Sequence, residues 1–263
     1  MGSGKTNSVR CVFLANGRVG AEILQRLAAA GQRPTGLVVH PPERARDREA
    51  IVAATGLPPS RVLEGHRLNS PAGKQWLSDL HPDWVISISF GYLLSASVLA
   101  IPTLGALNLH PALLPFNRGS YPNVWSIVDR TPAGVTLHFM DERIDTGDLV
   151  AQARVSIAPI DTGASLYRKL EDASIELFLN QWPLIEAGAV QRWPQAGGGT
   201  IHRKADVEAL DRIEPDRMYR AQELIDLLRA RSFPPHRGAY LDLRDRKVYL
   251  RLELSEERRE QGK

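Results

Sequence analysis

Two polar side chains close an apolar run in the middle of the chain, where a buried strand ordinarily carries neither. The segment "GALNLHP" places Asn108 and His110 two residues apart and ends on Pro111. Because alternate residues of a strand point to the same face, the amide and the imidazole project together. An amide can donate a hydrogen bond to a developing oxyanion, and an imidazole can move a proton near neutral pH. The pair therefore predicts acyl transfer.

This chemistry also needs a group that orients the histidine and stabilises its charged form. Asp145, in "ERIDTGD", is the best candidate, because it lies in a loop between two predicted strands and precedes Thr146 and Gly147, a natural tight turn. Taken singly, a histidine after a strand is typical of a cap, and "DTG" is typical of a turn. With the long proline-rich loop between them, the three residues Asn108, His110 and Asp145 predict a catalytic set.

The elements that must position these residues alternate between strand and helix. The apolar runs predict strands at residues 8–14, 35–40, 61–63, 83–89 and 105–109, with helices at 21–31, 43–55, 71–80 and 95–100 between them. Two further strands, at 133–140 and 149–157, precede a long helix over 162–187. This order predicts an α/β fold with a doubly wound, mostly parallel sheet, which binds ligands at the carboxyl ends of its strands.

A linker-like run, "QAGGGT", begins at Gln195 and predicts a boundary there. Residues 1–195 form the predicted catalytic domain. Residues 196–263 form a small C-terminal α+β appendage, made of a helix and a β-hairpin.

Composition excludes several classes of protein. Of 263 residues, 43% are hydrophobic and 24% charged, as in ordinary globular proteins, and no apolar run approaches the length of about 20 residues that spans a bilayer. A polar N-terminus and a single cysteine, Cys11, predict a cytoplasmic protein without disulfides. The net charge of +3 is spread along the chain, which favours a small anionic substrate over a nucleic acid. The cysteine and histidines are not clustered at the spacing of metal ligands, so the sequence predicts no metal site.

The segment "GSGKT", residues 2–6, resembles the end of a phosphate-binding loop, but the residues around it do not complete that motif. The full pattern needs an earlier glycine and a preceding strand, and neither stands before this segment in the sequence.

Two longer segments carry a resemblance to a known family. "NLHPALLPFNRG" and "GVTLHFMDERIDTGDLVAQ" are similar to the folate-dependent formyltransferases, over about residues 8–190. The shared pattern is Asn-x-His-Pro-x-x-Leu-Pro, then a second histidine, here His138, with an aspartate seven residues later, here Asp145. The resemblance implies a Rossmann-like fold and N10-formyltetrahydrofolate as the formyl donor, with no metal.

The resemblance also implies roles for individual positions. Asn108 would polarise the formyl carbonyl and hold the tetrahedral oxyanion, His110 would transfer the proton of the attacking amine, and Asp145 would orient His110. Residues after the fourth strand and in the loop before Asp145 would hold the folate: Ser89, Phe90, Gly91, Tyr92, Leu93, Asp141 and Ile144.

Other segments of the sequence bear on which amine accepts the formyl group. The tail and "NRGSYPNVWSI" resemble the enzymes that formylate nucleotide-linked deoxyamino sugars for surface glycans such as lipopolysaccharide O-antigen, which are commonly homodimers. Arginine suits the pyrophosphate of such a substrate, since it binds oxyanions bidentately. The predicted substrate residues are Asn117, Arg118, Gly119, Tyr121, Trp125, His202, Arg203 and Lys204. Methionyl-tRNA formyltransferase is the alternative, which the short tail disfavours, and a catalytically silent nucleotide-binding module is the third.

Overall fold

The computed structural model describes residues 9–257, and a seven-stranded sheet runs through its centre. In spatial order its strands are β3 (Val62–Glu64), β2 (Gly36–Val39), β1 (Cys11–Ala15), β4 (Trp84–Ile88), β5 (Gly105–His110), β7 (Ala133–Phe139) and β8 (Leu149–Val155). The first five are parallel, whereas β7 runs antiparallel to both β5 and β8. The strands predicted from the sequence form this sheet, and the Rossmann-like, doubly wound class is confirmed.

Helices cover both faces of the sheet, as alternation along the strands requires. On β1, Phe13 and its alternate neighbours pack against α1 (Gly17–Ala29) and α6 (Gly163–Glu186). Val12 and Leu14 point the other way, into a second cluster under α3 (Pro71–Asp79) and α4 (Ala96–Leu99). The remaining helices are α2 (Arg48–Thr55), α5 (Pro122–Val128), α7 (Lys204–Leu210) and α8 (Ala221–Arg231).

One predicted helix is shorter than its charge pattern indicates. We expected it to begin at Glu43, but α2 starts at Arg48 because Asp47 adopts a left-handed conformation, with φ of 55°. The preceding turn is held instead by Asn16, whose side-chain oxygen accepts a hydrogen bond from the main-chain N–H of Arg46 at 2.8 Å.

The tail is small and packs onto the main sheet domain. Short strands β10 (Arg212–Ile213), β11 (Tyr240–Asp242) and β12 (Lys247–Tyr249) form a three-stranded sheet, in which β11 and β12 make the predicted hairpin. Helix α8 packs against α5 and α6. Six residues after the predicted boundary at 195, β9 (Ile201–His202) pairs with β6 (Arg118–Gly119) in the loop that follows His110. The chain therefore returns to that loop before it enters the tail.

No helix within residues 9–257 is both long and apolar enough to cross a membrane. The "GSGKT" segment lies outside the described residues.

Candidate active site

The register of two strands places an imidazole beside the predicted amide. Strand β7 is antiparallel to β5, and Asn108 lies directly opposite His138. Side chains of such a pair share one face of the sheet, and His110, two residues further on, lies on that face too. The Nδ2 atom of Asn108 is 3.2 Å from Nε2 of His138. The antiparallel strand thus brings together two segments 30 residues apart in the chain.

His110 is held by a main-chain carbonyl. Its Nε2 donates to the carbonyl oxygen of Asn117 at 3.1 Å, and a carbonyl can only accept, so the neutral ring carries its proton on Nε2. The Nδ1 atom is then the position that can take up a further proton. Oδ2 of Asp145 is 3.6 Å from Nε2, too far for a good hydrogen bond but close enough to stabilise a positive ring. The structure therefore assigns the orienting hydrogen bond to Asn117, and the charge to Asp145.

Asp145 is the meeting point of the site. Its Oδ2 accepts a hydrogen bond from the main-chain N–H of Gly119 at 2.9 Å, and its Oδ1 lies 3.3 Å from Nδ2 of Asn108 and 3.5 Å from Nε2 of His138. Burial by itself raises the pKa of this carboxyl. The adjacent His110 ring, then His138 and the Gly119 N–H, outweigh burial and hold the pKa of Asp145 well below its usual range. The group is therefore a carboxylate at any working pH.

The amide of Asn108 is occupied by neighbours inside the site. The Nδ1 atom of His138 donates to the carbonyl of Phe139 at 2.7 Å, so neutral His138 has an acceptor at Nε2. Nδ2 of Asn108 can therefore donate one hydrogen to His138 and the other towards Asp145. To stabilise an oxyanion, this amide must exchange one of those contacts for the substrate oxygen.

Thr136 fastens the loop that follows His110. Its hydroxyl donates to the carbonyl of Ala112 at 2.6 Å and accepts from the main-chain N–H of Leu114 at 3.1 Å. Gln152 reaches the same hydroxyl at 3.0 Å and the carbonyl of Leu114 at 2.8 Å. These contacts from β7 and β8 explain how an irregular, proline-rich loop keeps its main chain satisfied.

These groups line a cleft of about 330 Å³. All of the predicted catalytic and folate residues line it: Asn108, His110, Asp145, Ser89, Phe90, Gly91, Tyr92, Leu93, Asp141 and Ile144. Leu93 is 69% exposed and Ile144 36%, so the cleft presents apolar side chains to solvent. Ser89 and Asp145 adopt left-handed backbone conformations, with φ of 53° and 52°, a cost that proteins carry mostly at functional sites. Among the described residues, no group of three or more His, Cys, Asp or Glu side chains could hold a metal ion.

The predicted substrate residues are dispersed. Gly119 lines the cleft, and Tyr121 lines a neighbouring cavity. The side chain of Asn117 does not reach either, because it is 1% exposed and is bonded to Ser126, Thr131 and Thr200 inside the loop. The left-handed φ of 56° at Asn117 is the feature that its sequence, Asn before Arg-Gly, could have indicated.

The remaining predicted contacts also face elsewhere. Arg118 donates to the side-chain oxygen of Gln195 at 2.7 Å. Trp125 is buried and stacks on the ring of His202, with centroids 3.9 Å apart and planes within 6°. Arg203 and Lys204 are exposed where α7 begins. None of these five lines the cleft or the neighbouring cavity.

Fold and site together describe a Rossmann-like α/β protein with an amide, an imidazole and a carboxylate at one cleft. Residues 9–181 match the family model described as formyl transferase, and residues 206–256 match the N-formyltransferase dimerization C-terminal domain. The chain belongs to the formyl transferase family.

Individual relatives divide between two acceptors. The methionyl-tRNA formyltransferase of Agathobacter rectalis is 30% identical over 201 residues, which are 74% of this chain and 64% of that protein. The chain thus matches less than two thirds of that relative's length. A sugar N-formyltransferase from a Shewanella species superposes with a TM-score of 0.83 at 22% identity, covering 95% of this chain and 99% of the other. The formyltransferase PseJ from Anoxybacillus kamchatkensis is 25% identical with a TM-score of 0.57, covering 76% and 88%.

Proposed function

We propose that this protein transfers a formyl group from N10-formyltetrahydrofolate to the amino group of a nucleotide-linked amino sugar. The observation that carries the proposal is the convergence of Asn108, His110 and Asp145 at one cleft. The donor would supply the formyl group. The segment Ser89–Leu93 and the side chains of Asp141 and Ile144 would hold its ring system, since all of them line the cleft.

The residues divide the chemistry between them. Asn108 donates to the formyl oxygen as negative charge develops there, an interaction worth about 3–4 kcal/mol in comparable sites. His110 accepts the proton that the amine loses, at Nδ1, because Nε2 is already committed to the carbonyl of Asn117. Asp145, 3.6 Å away, then stabilises the imidazolium. The amine attacks the formyl carbon, the bond from that carbon to the folate nitrogen breaks, and the proton passes from His110 to that nitrogen.

A second cavity supports a nucleotide-linked acceptor. It measures about 490 Å³ and starts at Tyr121, the residue after Ser120 of the catalytic cleft. Its walls combine aromatic rings with basic side chains: Tyr121, Tyr167, Phe233, Tyr240, Tyr249, Arg46, Arg231, His236 and Arg237. Asp211 also lines it and pairs with Arg231, which leaves Arg46 and Arg237 as the arginines for an anion. Aromatic rings stack on a base, and arginines bind a diphosphate. A sugar in the cleft with its nucleotide in this cavity would use both spaces.

One of the similar structures contains a nucleotide-linked sugar, which is the class of acceptor that we propose. The PseJ structure holds UDP-4,6-dideoxy-4-formamido-L-AltNAc together with tetrahydrofolate. Methionyl-tRNA stays the alternative acceptor, because the Agathobacter rectalis relative, at 30% identity, is named a methionyl-tRNA formyltransferase.

The acceptor test uses the purified protein with N10-formyltetrahydrofolate. Tetrahydrofolate release is measured with dTDP-, UDP- and GDP-linked 3- and 4-amino sugars, and separately with methionyl-tRNA. We expect release with one class of nucleotide sugar, and its loss in the variant H110A, with folate binding retained. Tetrahydrofolate release with the tRNA alone would show that methionyl-tRNA is the acceptor. Folate binding without tetrahydrofolate release in the presence of any amine would favour a catalytically silent binding module.

We further propose that the tail joins two copies of the chain. The match of residues 206–256 to a dimerization domain supports this assembly. So do apolar side chains that the tail exposes, with Met218 93% exposed, Val248 39% and Tyr249 38%. Light scattering on the purified protein should give twice the mass of one chain. A monomer that turns over normally at micromolar concentration would contradict it.

A further inference from the structure

Gln195 stands at the predicted domain boundary, yet its side chain reaches into the catalytic loops. Its Nε2 donates to two main-chain carbonyls, those of Asp145 and Gly147, each at 2.8 Å. Its Oε1 accepts from the guanidinium of Arg118, at 2.7 Å from Nη2 and 3.3 Å from Nε. Since carbonyls only accept and a guanidinium only donates, the orientation of this amide is fixed.

The two loops that Gln195 joins are the ones that hold the catalytic carboxylate. Asp145 needs external support, because its φ of 52° is unfavourable for a residue with a side chain. Arg118 adjoins Gly119, whose main-chain N–H is the closest donor to the carboxylate. One amide therefore holds the main chain of Asp145 on one side and the strand that binds its side chain on the other.

Thr200, five residues later, supports the second catalytic side chain. Its hydroxyl accepts from the main-chain N–H of Asn117 at 2.8 Å and donates to Oδ1 of Asn117 at 3.0 Å. Asn117 in turn holds His110 through its carbonyl. The segment from Gln195 to Thr200 thus contacts both supports of the catalytic pair.

We propose that Gln195 is a positioning residue for formyl transfer, which fixes the Asp145 carboxylate beside His110, and that Thr200 does the same for His110 through Asn117. This inference rests on the proposed function. The segment between the two domains is then part of the catalytic machinery, although neither residue touches the cleft.

The test replaces polar contacts without changing shape. Q195M keeps the length of the side chain and removes all four contacts. Q195E keeps an acceptor for Arg118 but turns an oxygen toward two carbonyls. Because a displacement of about 1 Å can lower turnover about 10²-fold, we expect a 10- to 100-fold loss of kcat in both, with KM for the folate within about threefold. Q191A, an exposed glutamine four residues earlier, is the matched control and should behave as wild type.

A double-mutant cycle separates positioning from a structural role. Gln195 would act through the Asp145 carboxylate, which lies 3.6 Å from His110, so replacing that carboxylate removes the effect that Gln195 can exert. In the D145N background, Q195M should therefore lower kcat less than threefold, whereas it lowers kcat 10- to 100-fold in the wild-type background. A purely structural role would lower kcat by the same factor in both backgrounds.

Thr200 offers a conservative rescue. T200V is isosteric and removes the hydroxyl, whereas T200S retains it. We expect T200V to lose kcat at least 10-fold and T200S to recover most of it.

Each outcome decides. An equal loss of kcat for Q195M in the wild-type and D145N backgrounds, or equal activity of T200V and T200S, would assign these residues a structural role only and overturn the inference. Wild-type turnover in Q195M and Q195E would overturn it directly. If either Gln195 variant fails to fold, the other and the Thr200 pair carry the test. Assays use the nucleotide amino sugar that wild type accepts in the acceptor panel, so an inactive wild type refutes the proposed function, whereas an active wild type with unaffected variants refutes only this inference.

Discussion

The charge of Asp145 should supply a large and calculable part of turnover. D145N preserves the shape of the side chain and an acceptor for the Gly119 N–H, but removes the negative charge 3.6 Å from Nε2 of His110. With an effective dielectric constant of about 20, Coulomb's law gives about 4–5 kcal/mol for a full positive charge on that ring. Both side chains are largely buried, at 7% and 13% exposed, so solvent screens the pair weakly. Since about 1.4 kcal/mol is a factor of ten, kcat should fall about 10³-fold.

The assay must distinguish loss of charge from loss of binding. We would measure kcat from tetrahydrofolate release, and the affinity for 5-formyltetrahydrofolate by calorimetry, which should stay within about threefold of wild type. D148N is the control, because Asp148 is on the same loop, 38% exposed, and pairs only with Arg192 in the described part of the chain. A kcat for D145N within tenfold of wild type would refute the electrostatic role, since no dielectric constant appropriate to a buried pair gives so little.

Three other predictions concern separate contacts. N108A should lower kcat about 10²–10³-fold with folate affinity unchanged, by steady-state kinetics and calorimetry, because it removes the oxyanion donor. G119A should lower both kcat and Tm, since a Cβ there would lie 2.3 Å from the carbonyl oxygen of His202 and φ is +87°; unchanged thermal melting would contradict the packing. R229M should cost about 1.5–3 kcal/mol in urea unfolding at neutral pH, because it removes one of two charged partners of the buried Asp226 while Arg130 keeps the other. The pKa of Asp226, raised by burial but lowered further by its bonds to Arg229 and Arg130, lies below its ordinary value, so the stability it contributes is present above that ordinary value and should fade as pH drops below it.

The sequence predicted the fold class and the residues of the site better than the contacts between those residues. The doubly wound class of the sheet follows from alternating apolar runs, and the resemblance in "NLHP" and "DTG" identified the residues that converge on the cleft. The antiparallel register that sets His138 opposite Asn108 is a long-range pairing, which no local pattern encodes. His138 belongs to the second family motif, but only the pairing of β7 with β5 brings its ring next to the side-chain amide of Asn108.

The sequence also did not predict which way several side chains point. A basic residue near an active loop suits a phosphate, so Arg118 was expected to face substrate, yet its nearest acceptor is Gln195. Asn117 was expected to contact the substrate, whereas its carbonyl is the group that reaches His110. Every residue carries such a carbonyl, so residue type gives no signal for this role. The mixed aromatic and basic cavity was missed because its walls come from distant segments such as Arg46 and Tyr249.

The shortest contact that the carboxylate of Asp145 makes within the site comes from the main chain, at Gly119. Alanine scanning is blind to it, since every residue other than proline brings the same N–H. Replacing the peptide bond before Gly119 with an ester, by semisynthesis or nonsense suppression, would delete that one donor and leave all side chains intact. Surveys that rank residues by side-chain truncation will therefore score this position only for its missing Cβ, and will overlook the atom through which it acts.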